Sequence, residues 1–179
     1  LASVFIRKSD SKIIRSNYEK KYGIRPPTFI AISPTKKCNL KCTGCYATSA
    51  PTAEGTLSWT QLNKIVDDAY TNMGIRFFVI SGGEPLIYKS ENKTILDLAE
   101  EWNDCFFLMY TNGTMIDENM AARLADIGNL TPAISVEGYE EETDARRGKG
   151  VYEKIIRAKD NLIAEGVPFG LSATATRLN

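Results

Sequence analysis

Short apolar runs alternate with longer amphipathic stretches along most of the 179-residue chain. The short runs are rich in aromatic and β-branched residues, which favour strands over helices. Polar or glycine-containing segments bound each run, as expected where a strand ends in a turn. The pattern predicts five strands, at Phe29–Ser33, Arg76–Ile80, Phe106–Tyr110, Thr131–Val136 and Pro168–Thr176.

The longer stretches carry helix start and stop signals. Ser58 and Gln61 have the spacing of a capping box, which predicts a helix that reaches Met73 and stops at Gly74. Arg146 and Arg147 fall in a segment without apolar periodicity, which we assign to a polar loop. The other predicted helices are Ile13–Lys21, Lys93–Asn103, a helix from the cap Asp117 to Ile127, and Val151–Glu165.

Strands that alternate with helices of roughly ten to fifteen residues indicate βα units and a parallel sheet. The chain is therefore predicted to be an α/β protein. A polar or glycine-rich cluster follows each predicted strand, and βα loops converge at this edge of a parallel sheet to form ligand sites. In chain order the clusters are KCNLKCTGCY, SGGEP, YTNG, SVEG and RLN.

The charge balance excludes one class of partner. The 22 basic and 22 acidic residues cancel without forming a basic stripe, so no nucleic-acid partner is indicated. No apolar run approaches the roughly 20 residues of a membrane-spanning helix, and the N-terminus lacks a signal-peptide core. We expect a cytoplasmic protein without a membrane span.

The most unusual segment holds three of the four cysteines within eight residues, in a chain without histidine. Clustered thiols in a reducing compartment indicate metal ligands rather than disulfides. A structural zinc site closes with four ligands, and the fourth cysteine, Cys105, lies in an apolar run that we assign to the core. Three thiolates suit a [4Fe–4S] cluster with one open iron, although a chance cluster of surface cysteines is the plainer alternative.

With Tyr46 directly after Cys45, the CxxxCxxC arrangement of Cys38, Cys42 and Cys45 resembles the motif of radical S-adenosylmethionine (radical SAM) enzymes. The resemblance implies that the three thiolates hold a [4Fe–4S] cluster whose open iron binds S-adenosyl-L-methionine. It also implies a partial (βα) TIM-like barrel with parallel strands, of which five of the usual six βα units are visible.

Further short motifs match the same family in the same order. GGEP resembles the segment that binds the methionine amino group, SVEG the family's Ser-x-Asp-Gly with a longer acid, and the arginine before Gly148 a ligand of the methionine carboxylate. The asparagine of TNG suits a turn-stabilising role as well as a ligand-facing one. The residues implied to bind S-adenosylmethionine are Tyr46, Gly82, Gly83, Glu84, Pro85, Asn112, Ser135, Glu137 and Arg147.

By this resemblance, the function is reductive cleavage of S-adenosylmethionine to a 5′-deoxyadenosyl radical that abstracts hydrogen from a substrate. The motifs lean toward the SPASM/Twitch-type branch, whose members mature peptides or proteins or build cofactors. An electron donor such as flavodoxin or ferredoxin is implied as a partner. The alternative from another class is a non-catalytic zinc or iron–sulfur binding module.

The chain begins at Leu1 and stops just after the fifth predicted strand. A strand edge left unpaired in this way indicates an N-terminal fragment of a longer enzyme. We therefore expect residues 1–27 to form an N-terminal extension and residues 28–179 to form a radical SAM core domain that is truncated at its C-terminus.

Overall fold

The computed structural model describes residues 10–175. Its five strands form one parallel sheet in which each strand lies beside the next one in sequence. Helices connect consecutive strands, so the predicted α/β class is confirmed and the sheet has the arrangement of a partial (βα) barrel. The strands are β1 (Ile30–Ile32), β2 (Phe77–Ile80), β3 (Phe106–Thr111), β4 (Leu130–Ser135) and β5 (Gly170–Ser172).

All five strands fall inside or within one residue of their predicted positions. The largest difference is at β5, which is shorter than the predicted Pro168–Thr176; Thr176 lies outside the described residues. The helices are α1 (Ser11–Tyr22), α2 (Trp59–Met73), α3 (Ile95–Glu101), α4 (Glu118–Ile127), α5 (Glu140–Arg147) and α6 (Val151–Ala164), with a 3-10 turn at Pro85–Ile87.

The predicted helix caps are present. The Ser58 hydroxyl accepts a hydrogen bond from Gln61 N, while the Gln61 side chain accepts one from Ser58 N. Gly74 ends α2 with a φ of 66°, a left-handed conformation that glycine adopts without the steric cost of a Cβ. Helix α3 is shorter than predicted because Thr94 and Asp97 form a capping box one residue inside the expected start.

One prediction was wrong. The segment around Arg146 and Arg147 is the end of helix α5, not a polar loop. Only Thr143 of this helix is buried, so the segment lacks the apolar stripe by which helices are predicted. Three glutamates in its first turn and two arginines in its last complement the helix dipole.

One face of the sheet is buried against the helices. Phe78 and Phe107 stack across β2 and β3 with ring centroids 5.4 Å apart, and neither is exposed. Their cluster includes Leu62 of α2, Leu98 of α3 and Leu162 of α6. Burial of each such side chain stabilises the fold by roughly 2 kcal/mol, so this core fixes the frame on which the strand ends are placed.

The structure contains no helix within residues 10–175 that is long and apolar enough to cross a membrane.

Cys105 is a core residue, as predicted, with no exposed surface. Burial away from water raises the pKa of its thiol to about 12 from an ordinary 9.0, and the nearby Asp104 carboxylate adds to the rise. We expect Cys105 to resist iodoacetamide at pH 8.5 until urea unfolds the chain, as followed by mass spectrometry, because the thiolate is the reactive form. Alkylation of Cys105 in the native protein would contradict its placement.

Since the pKa of Cys105 is higher in the folded than in the unfolded chain, Cys105 also makes the free energy of unfolding fall as pH rises from 9 toward 12.

Candidate active site

The C-terminal ends of the strands surround a cavity of about 360 Å³. One wall is the segment between β1 and α2, residues 33–57, which we call the cysteine loop. The other walls come from the residues at the ends of β2, β3, β4 and β5 and from the last turn of α5. Four of the five polar clusters named from the sequence therefore contribute to one cavity, as their position at strand ends predicted; the fifth, RLN, lies outside the described residues.

Ten of the twelve site residues named from the sequence line this cavity. Pro85 and Glu137 are not among the lining residues; both are buried beside it. For all twelve residues, contact with a cofactor or a cluster remains a prediction. The ten that line the cavity are Cys38, Cys42, Cys45, Tyr46, Gly82, Gly83, Glu84, Asn112, Ser135 and Arg147.

Backbone hydrogen bonds hold the cysteine loop against the rest of the fold. Cys38 N donates to Ala50 O at 3.2 Å, which closes the loop on itself. Thr43 N donates to Arg146 O at 2.8 Å, and Arg146 Nε donates back to Thr43 O at 3.2 Å. The loop is thus fixed to the end of α5 between its second and third cysteines.

The three thiols of the loop are free and have different surroundings. Burial raises the pKa of Cys38, and the N–H of Leu40, 3.4 Å from the sulfur, opposes this only in part. Burial also raises the pKa of Cys42, with the Arg147 guanidinium as the main opposing charge. Burial therefore disfavours the thiolate form at two of the three sulfurs.

Cys45 is the exception. Burial acts to raise its pKa, but hydrogen bonds from the backbone and hydroxyl of Ser49 and from the backbone of Ala47 and Thr48 outweigh it. The pKa of Cys45 is lowered as a result. A turn whose N–H groups converge on one sulfur stabilises the thiolate, which is the form that binds metals.

The donor set fits an iron–sulfur cluster. Three sulfurs line one cavity together with Arg147, whose Nε is buried without a hydrogen-bond partner among the described residues. Within residues 10–175 no three cysteine, aspartate or glutamate side chains converge tightly enough to hold a single metal ion. Thiolates are the usual ligands of [4Fe–4S] clusters, and three of them leave one iron open.

Gly82 and Gly83 bring the end of β2 into direct contact with the cysteine loop. Gly83 N donates to Thr35 O and Glu84 N to Lys37 O, both at 2.8 Å. A Cβ on Gly83 would lie 2.0 Å from Lys37 O. The resemblance implies that this segment binds the methionine amino group; in the structure, the close approach at Gly83 is to the chain's own backbone.

Replacing Gly83 by alanine is expected to lower the free energy of unfolding by about 3 kcal/mol, because the new methyl group requires the two segments to separate. Urea denaturation measures the change. Gly170→Ala is the matched control, since a Cβ there meets no atom within 4 Å. Equal effects of the two substitutions would show that the contact between β2 and the cysteine loop is unimportant.

Glu84 is almost fully buried, with 1% of its surface exposed. Its Oε1 accepts from Thr111 Oγ1 at 2.7 Å and from Leu86 N at 3.1 Å, and its Oε2 accepts from Asn112 N at 2.8 Å. Burial raises the pKa of this carboxyl, and the three donors offset part of that rise. The side chain therefore ties the end of β2 to the end of β3.

Tyr46 projects from the cysteine loop and is 77% exposed. Its hydroxyl lies 2.6 Å from Ser81 Oγ and accepts a hydrogen bond from Gly82 N at 3.1 Å. The ring thus lies at the rim of the cavity, next to the glycine pair.

A charged cluster at the end of β4 joins three elements. The Glu137 side chain is 2% exposed and contacts both arginines of α5. Arg147 Nη2 donates a hydrogen bond to Glu137 Oε1. Arg146 Nη1 lies 2.9 Å from the same oxygen, in an ion pair without hydrogen-bond geometry. Thr174 N donates to Oε2 at 3.3 Å. Two guanidinium groups share one carboxylate here, so the cluster carries net positive charge beside the thiols.

Sequence reasoning missed two lining residues near the thiols. Arg146 was set aside in favour of Arg147, yet both line the cavity. Ser49 belongs to no motif, and nothing in its neighbourhood distinguishes it from an ordinary loop serine. Its position becomes evident only when residues 45–49 fold as a turn around the Cys45 sulfur.

The chain matches the family described as the Radical SAM superfamily over residues 32–176. It is similar to Fe-coproporphyrin III synthase of Methanosarcina barkeri, with 33% identity over 147 residues that cover 81% of this chain and 36% of that protein. It is also similar to the mycofactocin maturase MftC of Mycobacterium ulcerans, with 32% identity over 160 residues that cover 88% of this chain and 42% of the maturase. The chain thus spans about two fifths of the length of these relatives.

A solved structure shares the fold. It is described as native anSMEcpe with bound AdoMet and Cp18Cys peptide, and it matches with a TM-score of 0.69 and 25% identity. The match covers 83% of this chain and 43% of that chain. The open sheet described above thus corresponds to part of a larger barrel protein that binds AdoMet and a peptide.

Proposed function

The chain belongs to the radical SAM superfamily and is an enzyme, and we propose that Cys38, Cys42 and Cys45 hold a [4Fe–4S] cluster beside a site for S-adenosyl-L-methionine. The observation that carries this proposal is that three free thiols line one cavity with the polar residues of the other strand ends. A site with three thiols leaves one iron without a protein ligand, which is where the cofactor's amino and carboxylate groups would bind.

A [4Fe–4S] cluster held by Cys38, Cys42 and Cys45 would supply the electron for reductive cleavage of S-adenosylmethionine, which is the source of the hydrogen-abstracting radical in this family. The chain's own residues would bind and orient the cluster and the cofactor and shield them from water. The cysteine loop holds its sulfurs in a fixed place because it is hydrogen-bonded to α5 and because the backbone contact at Gly83 holds the end of β2 against the loop. Burial of Cys38 limits the access of water to that sulfur.

Arg146 and Arg147 are proposed to bind the carboxylate of the methionine moiety. Both arginines line the cavity, and their two positive charges outnumber the single negative charge of the Glu137 carboxylate that they share. In addition, Arg147 Nε is buried without a hydrogen-bond partner among the described residues. A planar guanidinium suits a carboxylate because it can donate two parallel hydrogen bonds. Glu137 fixes both arginines in place for this contact.

The remaining predicted contacts come from the cysteine loop and from the ends of β2 and β4. Gly82 and Gly83 present backbone groups to the cavity for the methionine amino group, while Tyr46 at the rim suits the adenine and Ser135 the ribose. Glu84 supports the glycine pair indirectly, because its carboxylate ties the end of β2 to Thr111 and Asn112 at the end of β3. This assignment is supported by the shared cavity and by the order of the motifs.

The substrate is proposed to be a peptide or protein, or a small cofactor precursor. The two curated relatives are named as a mycofactocin maturase and as an Fe-coproporphyrin III synthase, and the solved structure holds a peptide. We further propose that residues 28–179 act as the core of a longer enzyme in the cytoplasm. Flavodoxin or ferredoxin would then supply the electrons.

Product formation tests the proposal. After anaerobic reconstitution with iron and sulfide, the chain is incubated with S-adenosylmethionine and dithionite, and 5′-deoxyadenosine is measured by liquid chromatography with mass spectrometry. We expect the nucleoside only when protein, iron, sulfide and reductant are all present. Tight binding of one zinc per chain, with no 5′-deoxyadenosine formed, would favour the non-catalytic metal-binding module instead.

A further inference from the structure

Asn112, at the end of β3, joins the cysteine loop through its side chain. Its Nδ2 lies 3.8 Å from Cys38 Sγ and donates to Asn39 Oδ1 at 2.7 Å. Asn112 is buried, with 6% of its surface exposed. The sulfur of one proposed cluster ligand therefore has an amide N–H beside it that comes from a different strand end.

The orientation of this amide is determined by its neighbours. Asn112 Oδ1 accepts from Thr114 N at 2.9 Å and from Thr114 Oγ1 at 2.7 Å. A backbone N–H can only donate, so the oxygen must face Thr114 and the NH₂ group must face Cys38. The Asn112 backbone is fixed as well, because its N–H donates to Glu84 Oε2 at 2.8 Å.

We propose that Asn112 is a positioning residue that raises the reduction potential of the cluster by donating a hydrogen bond to the sulfur of Cys38. The inference rests on the proposed function, since it requires the cluster. Reduction adds negative charge to the cluster and its sulfurs, and a donor hydrogen stabilises that charge. Asn112 lies outside the cysteine motif, so the motif alone does not set the potential.

The test is a redox titration of the reconstituted full chain, followed by EPR of the reduced cluster. In Asn112→Ala the donor is lost, and in Asn112→Asp a negatively charged acceptor of nearly the same shape replaces it. We expect the reduced-to-oxidised ratio at a fixed potential to fall about threefold to tenfold in Asn112→Ala and further in Asn112→Asp. A tenfold change corresponds to about 59 mV for a one-electron couple.

The order of the two variants separates this role from a structural one. If Asn112 only filled space, the isosteric aspartate would be the milder change and alanine the more severe. Ser172→Ala is the control, because Ser172 lines the cavity and no hydrogen bond from its hydroxyl to a thiol is seen within residues 10–175.

Variants that load a normal amount of iron and keep the wild-type potential would overturn the inference and leave the proposed function standing. A potential that shifts more in Asn112→Ala than in Asn112→Asp would also overturn it. Failure of the unaltered chain to assemble any cluster would instead overturn the proposed function and, with it, this inference.

Discussion

Replacing Cys42 by alanine is expected to abolish cluster assembly and to reduce 5′-deoxyadenosine formation on the order of a thousandfold or more. Cys42 supplies one of the three thiols in the cavity. Burial raises its pKa, and the positive charge of the nearby Arg147 guanidinium opposes that rise. Two remaining thiolates hold too few irons for a stable cubane. Iron and sulfide assays after anaerobic reconstitution measure the first effect, and product analysis measures the second.

Cys105→Ala is the matched control for this experiment. It removes the remaining cysteine of the chain, but that side chain is buried in the core and is not among the residues lining the cavity. The variant should load about as much iron as the unaltered chain. Retention of a full cluster in Cys42→Ala, or loss of the cluster in Cys105→Ala, would contradict the assignment of ligands.

Replacing Glu137 by alanine is expected to lower the free energy of unfolding by about 3 kcal/mol, because two arginines would lose their buried counter-charge. Their side chains are 22% and 11% exposed, and both contact one oxygen of a carboxylate that is 2% exposed. The loss should also weaken binding of S-adenosylmethionine about tenfold, which is 1.4 kcal/mol, since the guanidinium groups would no longer be fixed. Urea denaturation and calorimetric titration with S-adenosylmethionine measure the two effects.

Two further variants make the Glu137 experiment specific. Glu137→Gln keeps the shape of the side chain and one acceptor oxygen, so a smaller loss is expected. Glu140→Ala removes an exposed acid at the start of the same helix and should change stability by no more than about 0.5 kcal/mol. If Glu137→Ala cost as little as Glu140→Ala, the charged cluster would not be what holds α5 against the sheet.

The fold was predictable because its signals are local. Aromatic and β-branched runs marked the strands, and the capping residues Ser58 and Asp117 marked helix starts that the structure confirms. Helix α5 was missed because its stability depends on the order of its charges and on Arg146 contacting Thr43, which lies about a hundred residues earlier in the chain. Contacts of that kind leave no periodic pattern in the sequence.

The candidate site was predictable in its membership but not in its internal contacts. Motifs at strand ends indicated which residues would meet, since parallel strands end at one edge. They did not indicate that the Glu84 carboxylate points to Thr111 and Asn112, or that Gly83 is needed next to Lys37 O. Those details depend on how two loops pack, and that packing is settled by the tertiary fold.

The central claim is that three thiols hold a cluster whose open iron binds S-adenosylmethionine, and EPR of the reduced, reconstituted chain tests it most directly. We predict about four irons per chain and a spectrum whose g-values shift when S-adenosylmethionine is added. The same shift should be absent from Cys42→Ala and present in Cys105→Ala. A fully loaded cluster whose spectrum is the same with and without S-adenosylmethionine would contradict the claim.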